Sequence, residues 1–297
     1  MRLVSYGKPR AWTSGIELGE SVVETTKVAT LAGWSEENVA AAGSNRTLLE
    51  LGPDALRQLE RVVRDRTVHL KLMPRASLRL GPPIPDPQKI VCIGLNYHDH
   101  AEEVGATPPA APIFFAKYPN SLVGAKDDVV PPRDTSKVDY EAELAVVIGT
   151  RGRYIEESSA LDHVAGVMVF NDVSARDLQL ANQLWTGGKA IDTFGPCGPA
   201  LVTIDEISDI QNLTVRTRVD GDVLQDGNTS SMIFSVRQII AFLSRIMTLE
   251  PGDIIATGTP AGVASAHKPA RFLKAGNIVE VEIEGVGTLR NRIVEAF

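Results

Sequence analysis

From residue 89 onward the chain is a succession of short apolar runs of strand length: KIVCIGL, AELAVVIG, VAGVMVFND, LTVRTRVDG, DIIATG and NIVEVEIEG. Only SVRQIIAFLSRIM (235–247) interrupts them with the spacing of an amphipathic helix, and Ser235 is placed to cap it. Strands not regularly separated by helices do not build a doubly wound parallel sheet, so the pattern predicts a β-rich α+β fold. Upstream, RLGPPIPDPQ (79–88) holds four prolines. Proline fixes φ and lacks the amide that a sheet ladder needs, so the stretch reads as a stiff linker. It sets an expected boundary between a small N-terminal α/β domain (1–85) and a larger domain (86–297). The first has a strand at Arg2 to Tyr6 and helical patterns near 35–42 and 53–65, and no chemistry concentrates in it.

A net charge of −7 over 297 residues disfavours nucleic acid or an anionic membrane surface as partner, because both require clustered cations. The opening MRLVSYGKPR lacks an apolar signal core, and the apolar-rich run HVAGVMVF (163–170) is far below membrane-spanning length. A cytoplasmic protein is expected. Cys92 and Cys197 lack metal-ligand spacing and read as packed thiols in a reducing compartment.

Within VDYEAELAVVIG (138–149), Asp139, Glu141 and Glu143 recur at every second residue, which on a strand turns them toward one face just before an apolar run. VEVEIEGVGTLRNR offers a control, with Glu280, Glu282 and Glu284 in the same rhythm. There, a turn at Gly285 to Gly287 would set Glu282 opposite Arg290 and Glu280 opposite Arg292, giving the acids cationic partners on a solvated face. The first row has no such bases within reach, since Arg151 and Arg153 fall past its end. Glu141 and Glu143, with Cα atoms roughly 7 Å apart, could share one hard cation, though E-x-E alone is a weak signal that favours a structural role.

Three more segments carry suitable groups. VMVFNDVSARDLQ ends a strand at Asn171 and Asp172, where Asp172 either joins a site or caps the helix-like segment after it. TGGKAIDTFGPCGP sets Lys189 beside paired glycines, as a site lysine or an exposed loop residue. In CIGLNYHDHAEEVG a helical turn would place His100 and Glu103 on one face, either as a surface pair or as a general base with the carboxylate that orients it.

Together, and in this order, the four segments resemble the fumarylacetoacetate hydrolase family. The resemblance covers about residues 86–297 and includes EPGDIIATGTPAGV, whose TGTPAGV is a family marker. It implies a mixed β-roll catalytic domain and a homodimer. It also implies a divalent cation, usually Mg²⁺ with Mn²⁺ or Ca²⁺ as alternatives, on Glu141, Glu143 and Asp172. His100, Glu103 and Lys189 match the family's catalytic positions, and Asn96, Tyr97, Arg176, Gln179 and Thr259 match its substrate contacts. Asp139 is then left behind the glutamates or at the strand edge. The chain departs from the pattern at Ala190, where relatives often carry Ser, and at GVASAHKP, where many read a further Gly.

The activity this implies is metal-dependent hydrolysis of a C–C bond in a 2,4-diketo acid of the acylpyruvate type, with His100 activating water. The alternative is a decarboxylase, isomerase or lyase of the same family that uses the same enolate, on oxaloacetate, a hydroxymuconate-type diacid or a ureidoglycolate-type substrate. A non-catalytic metal-stabilised scaffold is the third reading. What holds the far end of the substrate separates diacids from neutral tails: a cation implies the first, apolar or hydroxyl contacts the second. Lys117 and Tyr118 are candidates for that contact.

Overall fold

The computed structural model describes residues 1–66 and 70–296. In chain order, the first strands are β1 (Arg2–Lys8), β2 (Ala11–Leu18), β3 (Ser21–Glu24), β4 (Met73–Pro74), β5 (Ile90–Gly94), β6 (Ile113–Lys117), β7 (Ala142–Ile148), β8 (Val164–Asn171) and β9 (Gly195–Thr203). They are followed by β10 (Thr214–Val219), β11 (Asp222–Asn228), β12 (Ile254–Ala256), β13 (Ile278–Ile283) and β14 (Gly287–Arg292). One large sheet runs β4-β3-β2-β1-β9-β8-β7-β12-β5-β6, and a second runs β11-β10-β13-β14. Arg2 pairs with Val202, so the first strands of the chain extend the sheet formed after residue 85. The architecture is the β-rich α+β fold expected from the pattern.

β7 and β8 are buried along their whole length, which is why they read as nearly continuous apolar runs. One face of the large sheet is covered by helices α1 (Thr25–Leu31), α2 (Glu36–Ala41), α3 (Asn45–Glu50) and α4 (Pro53–Arg66), whose Val28, Leu48 and Leu59 share a core with Val147 and Met168. After the short helices α5 (His98–Glu103), α6 (Arg176–Gln179) and α7 (Thr186–Lys189) comes α8 (Val236–Ile246), which helps cover the opposite face. Its Ile239, Ile240 and Leu243 join Val215, Val281 and Leu289 of the second sheet against Leu144, Val146, Val167 and Val169. Ser235 caps α8, as its sequence predicts, and Gln238 completes a capping box with it.

The control row of acids is structural, with partners one pair away from those expected. Ile283 pairs with Gly287, so the turn is Glu284-Gly285-Val286, and Glu280 rather than Glu282 stands opposite Arg290. Turn length sets register in a hairpin. Glu280 meets Arg290 at 3.3 Å, and Glu282 meets Arg218 of the neighbouring β10 at 2.7 Å.

Candidate active site

Four chain segments leave the large sheet at one end, and each delivers the group singled out in its sequence. β7 starts beside the end of β8, with Ala142 opposite Asn171. Asn171 Oδ1 accepts from the Glu141 amide at 3.1 Å, and the Glu141 carbonyl accepts from the Asp172 amide at 2.9 Å. That stitching gathers Glu141, Glu143 and Asp172, all buried, with one carboxylate oxygen of each within 4.8 Å of the others. Asp172 caps nothing: both its oxygens accept from lysines.

Lys189 Nζ donates to Glu141 at 2.6 Å and to Asp172 at 2.8 Å. Lys117 Nζ donates to the other Asp172 oxygen at 2.6 Å and to the Val173 carbonyl at 3.1 Å. Arg176 bridges Glu141 at 2.7 Å and Asp139 at 2.8 Å. Glu143 accepts the Gly258 amide at 2.9 Å. Gly258 is left-handed (φ +98°), and a Cβ there would sit 2.7 Å from Cβ of Asn96, so only glycine lets that amide reach the carboxylate.

Four carboxylates, Asp139, Glu141, Glu143 and Asp172, thus meet three cations. The surplus falls on Glu143: burial, then the Asp172 and Glu141 charges, push its carboxyl well above the usual range. For Glu141 burial acts in the same direction, but Lys189 and Arg176 outweigh it and hold the carboxyl down to about 2. Burial disfavours the Lys189 ammonium, yet Asp172 and Glu141 raise its pKa on balance, so it stays charged. Three buried carboxylates around one point, carrying excess negative charge and offering only oxygen, fit a hard divalent cation.

Beside the acids opens a cavity of about 410 Å³. His100 lines it, and its Nδ1 lies 3.2 Å from Glu103, whose other oxygen accepts the Gly262 amide at 2.8 Å. Lys189, Arg176, Gln179 and Thr259 line it too. Thr259 also accepts from Gln225 at 2.8 Å, and Gln179 accepts from Arg176 at 3.0 Å. Leu95, with a left-handed φ of 51°, turns the chain from β5 along the cavity wall, a conformation that costs a leucine energy.

Two expected substrate contacts are not brought to the cavity. Asn96 is fully buried, with its amide donating to the Thr257 and Phe234 carbonyls at 2.7 and 3.0 Å while its oxygen accepts from the Phe234 amide. It ties loops together. Tyr97 is equally buried in the core, its hydroxyl without a partner among the described residues. Lys117 and Tyr118, the candidates for the tail contact, also lie outside the cavity lining: Lys117 donates to Asp172, and Tyr118 is 53% exposed. Cys92 and Cys197 are packed thiols, their pKa values raised chiefly by burial.

Asp139 stands behind the glutamates, as the resemblance implies, whereas the role of Lys117 escapes a reading by motif. Asp139 is fully buried and accepts from the Ala264 and Ser265 amides at 2.6 and 3.0 Å as well as from Arg176, joining the loop after β12 to the acid cluster. The available signal for Lys117 was a lysine within the apolar run IFFAK.

Residues 89–294 match the family described as Fumarylacetoacetate (FAA) hydrolase C-terminal. Over 251 residues, 84% of this chain and 78% of the relative, the chain is 46% identical to a protein of Xenopus laevis named oxaloacetate tautomerase fahd2, mitochondrial. That name places the relative in mitochondria, whereas the cytoplasm is expected for this chain from its sequence. Among the described residues no helix is long and apolar enough to cross a membrane. Two solved structures cover the whole of this chain and are wholly covered by it. Fumarylacetoacetate hydrolase from Exiguobacterium antarcticum superimposes with a TM-score of 0.81 at 35% identity. Maleylpyruvate hydrolase from Sphingobium sp. SYK-6, in complex with manganese(II) ion and pyruvate, gives 0.80 at 28% identity.

Proposed function

The chain belongs to the fumarylacetoacetate hydrolase family, and on that premise we propose that it interconverts the enol and keto forms of a small 2-oxo acid of the oxaloacetate type. The acid cluster and the cavity leave several enolate reactions open. The observation that carries the choice is the 46% identity to a protein named an oxaloacetate tautomerase, against 35% and 28% to the two named hydrolases. Acylpyruvate hydrolysis, the first expectation from the sequence, therefore ranks second, supported by the likeness to maleylpyruvate hydrolase.

Glu141, Glu143 and Asp172 would hold a divalent cation, Mg²⁺ or Mn²⁺, which when bound supplies positive charge for the oxygens at C1 and C2 of the substrate. His100 has its Nδ1 held by Glu103, leaving Nε2 to take the proton from C3 of the keto form or return it to the enol. Lys189, kept charged by its carboxylate neighbours, stabilises negative charge as it develops on the substrate oxygen. Arg176 is clamped by Asp139 and Glu141 and presents a fixed cation where the second carboxylate of a short diacid would lie.

The test begins with enolic oxaloacetate freshly dissolved with the Mn²⁺-loaded protein. The enol absorbance should decay faster than without protein, pyruvate should not accumulate at the same rate, and EDTA should abolish the acceleration. Pyruvate released from acetylpyruvate at a rate far above any effect on the oxaloacetate enol would reverse the ranking in favour of hydrolysis.

A further inference from the structure

The cavity is larger than a four-carbon diacid requires, and its walls change character from end to end. At the buried end stand Glu141, Glu143, Lys189 and His100, none more than 8% exposed. At the open end stand Val104, 48% exposed, and Leu180, 74% exposed. Between them lie Phe115 and Trp185, whose rings meet edge to face at 5.5 Å, and Phe115 also lies under the Lys189 ammonium at 5.1 Å. An aromatic wall thus begins at the chemical head of the cavity and continues outward. Trp185 is seated by the shape of the backbone: a Cβ at Gly94 would come within 2.4 Å of its ring, so the end of β5 is flat where the indole rests.

Both cations that line the cavity are already engaged by carboxylates at the head end, Arg176 by Asp139 and Glu141, Lys189 by Glu141 and Asp172. They can serve a carboxylate only close to the head. Beyond that distance a ligand meets Phe115, Trp185, Leu180 and Val104, with the exposed Ser265 as a neutral polar neighbour. A benzene ring fits an apolar cavity of on the order of 150 Å³, so 410 Å³ has space for a 2-oxo acid head and a ring-sized tail.

Resting on the tautomerase reading of the head, we infer that the outer part of the cavity selects 2-oxo acids whose tail is apolar and ring-bearing, of the arylpyruvate type, over those with a long acidic tail. Burying aromatic carbon against Trp185 and Phe115 favours the first class, while a distal carboxylate would lose water without meeting a cation among the described residues of the cavity wall.

Two inert mimics separate the classes without any reaction. N-phenyloxamate and N-oxalylglycine share an oxamate head and differ only in a phenyl or a carboxymethyl tail. Titrated calorimetrically into the Mn²⁺-loaded protein, N-phenyloxamate should bind roughly tenfold more tightly or better, the worth of a few buried carbon atoms. Trp185→Ala should remove most of that advantage while N-oxalylglycine stays within roughly twofold of its wild-type affinity. Leu180→Lys, at an exposed position where folding is not at stake, should shift the preference toward N-oxalylglycine. Equal or tighter binding of N-oxalylglycine by the wild type overturns the inference, as does an equal loss for both mimics in Trp185→Ala. A wild-type phenyl preference without acceleration of enol decay removes the proposed reaction and leaves the wall. The converse removes the wall and leaves the reaction, and no binding of either mimic overturns the inference about the wall whatever the enol assay shows.

Discussion

At the scale of single residues, the acid cluster owes its chemistry to unequal sharing of three cations. Glu141 takes Lys189 and Arg176, Asp172 takes Lys117 and Lys189, and Glu143 has the Gly258 amide. Replacing either glutamate by glutamine removes one charge and one good oxygen donor. Glu141→Gln and Glu143→Gln should each weaken Mn²⁺ or Mg²⁺ binding severely in a calorimetric titration, while Glu282→Gln, on the solvated row, leaves it unchanged. Undiminished affinity in both variants would return the row to a structural role. His100→Ala should slow enzymatic enol decay by on the order of 10² to 10⁴, the usual contribution of a positioned base. Glu103→Gln should slow it less, because an amide can still orient the ring. A histidine variant with wild-type decay rates would move proton transfer to another group in the cavity. Spacing alone left each segment open to a structural role; it is the family resemblance that joined Glu141, Glu143, Asp172, His100 and Lys189, and the fold brings the three acids within 4.8 Å of one another with Lys189 bonded to two of them. Asn96 and Tyr97 show the limit of that reading, since a residue can belong to a motif because it holds the loops together. Lys117 shows the complementary limit, because the partner of a buried charge is set by contacts 55 residues away along the chain.

At the scale of elements, the loop after β12 does more than its motif reveals. Its backbone amides reach Glu143 from Gly258, Glu103 from Gly262 and Asp139 from Ala264, so one segment aligns the acid cluster, the histidine pair and the Arg176 clamp. Gly262 is left-handed (φ +101°), and a Cβ there would stand 1.9 Å from the Leu224 carbonyl. Gly262→Ala should therefore cost stability by about 1–3 kcal/mol and, by pulling the amide from Glu103, lower the rate of enol decay. Denaturant unfolding and the enol assay read the two effects, and a variant with wild-type values in both would show that the loop shifts freely. The elements themselves were unevenly legible. β7, β8 and α8 declare themselves through apolar runs and a cap, because central strands and amphipathic helices carry their environment in their composition. β9 did not: GPCGPALVT puts two prolines and two glycines into a strand beside β1 and β8, where proline is ordinarily unwelcome and tertiary pairing overrides the local preference. β6, β11 and the hairpin register at 284–286 were missed for a related reason, since pairing partners and turn type are settled by the sheet as a whole.

At the scale of the whole molecule, four buried carboxylates facing three cations make the stability of the fold depend on what fills the cluster. A carboxyl whose folded pKa is raised above its unfolded value binds its proton more tightly in the folded state, so stability falls as pH rises through the window between the two. The metal-free protein at neutral pH therefore carries a penalty at Glu143, worth about 1.4 kcal/mol for each pKa unit of elevation. Glu143→Gln removes the charge and keeps an oxygen for the Gly258 amide. In EDTA the variant should melt above the wild type, and the gap should close as the pH is lowered and Glu143 takes up its proton. A divalent ion should reverse the order. An ion at a hundred times its dissociation constant stabilises the native state by about 2.7 kcal/mol. For a chain of this length that corresponds to a rise in Tm of roughly 4 °C, which the variant should largely lack. Thermal unfolding of both proteins, in EDTA and in excess Mn²⁺, shows whether the curves exchange places. An equal rise in both would put the ion elsewhere on the molecule. A variant that melts lower in EDTA would mean that the ionised Glu143 carboxylate holds the Gly258 loop more strongly than its neighbours repel it.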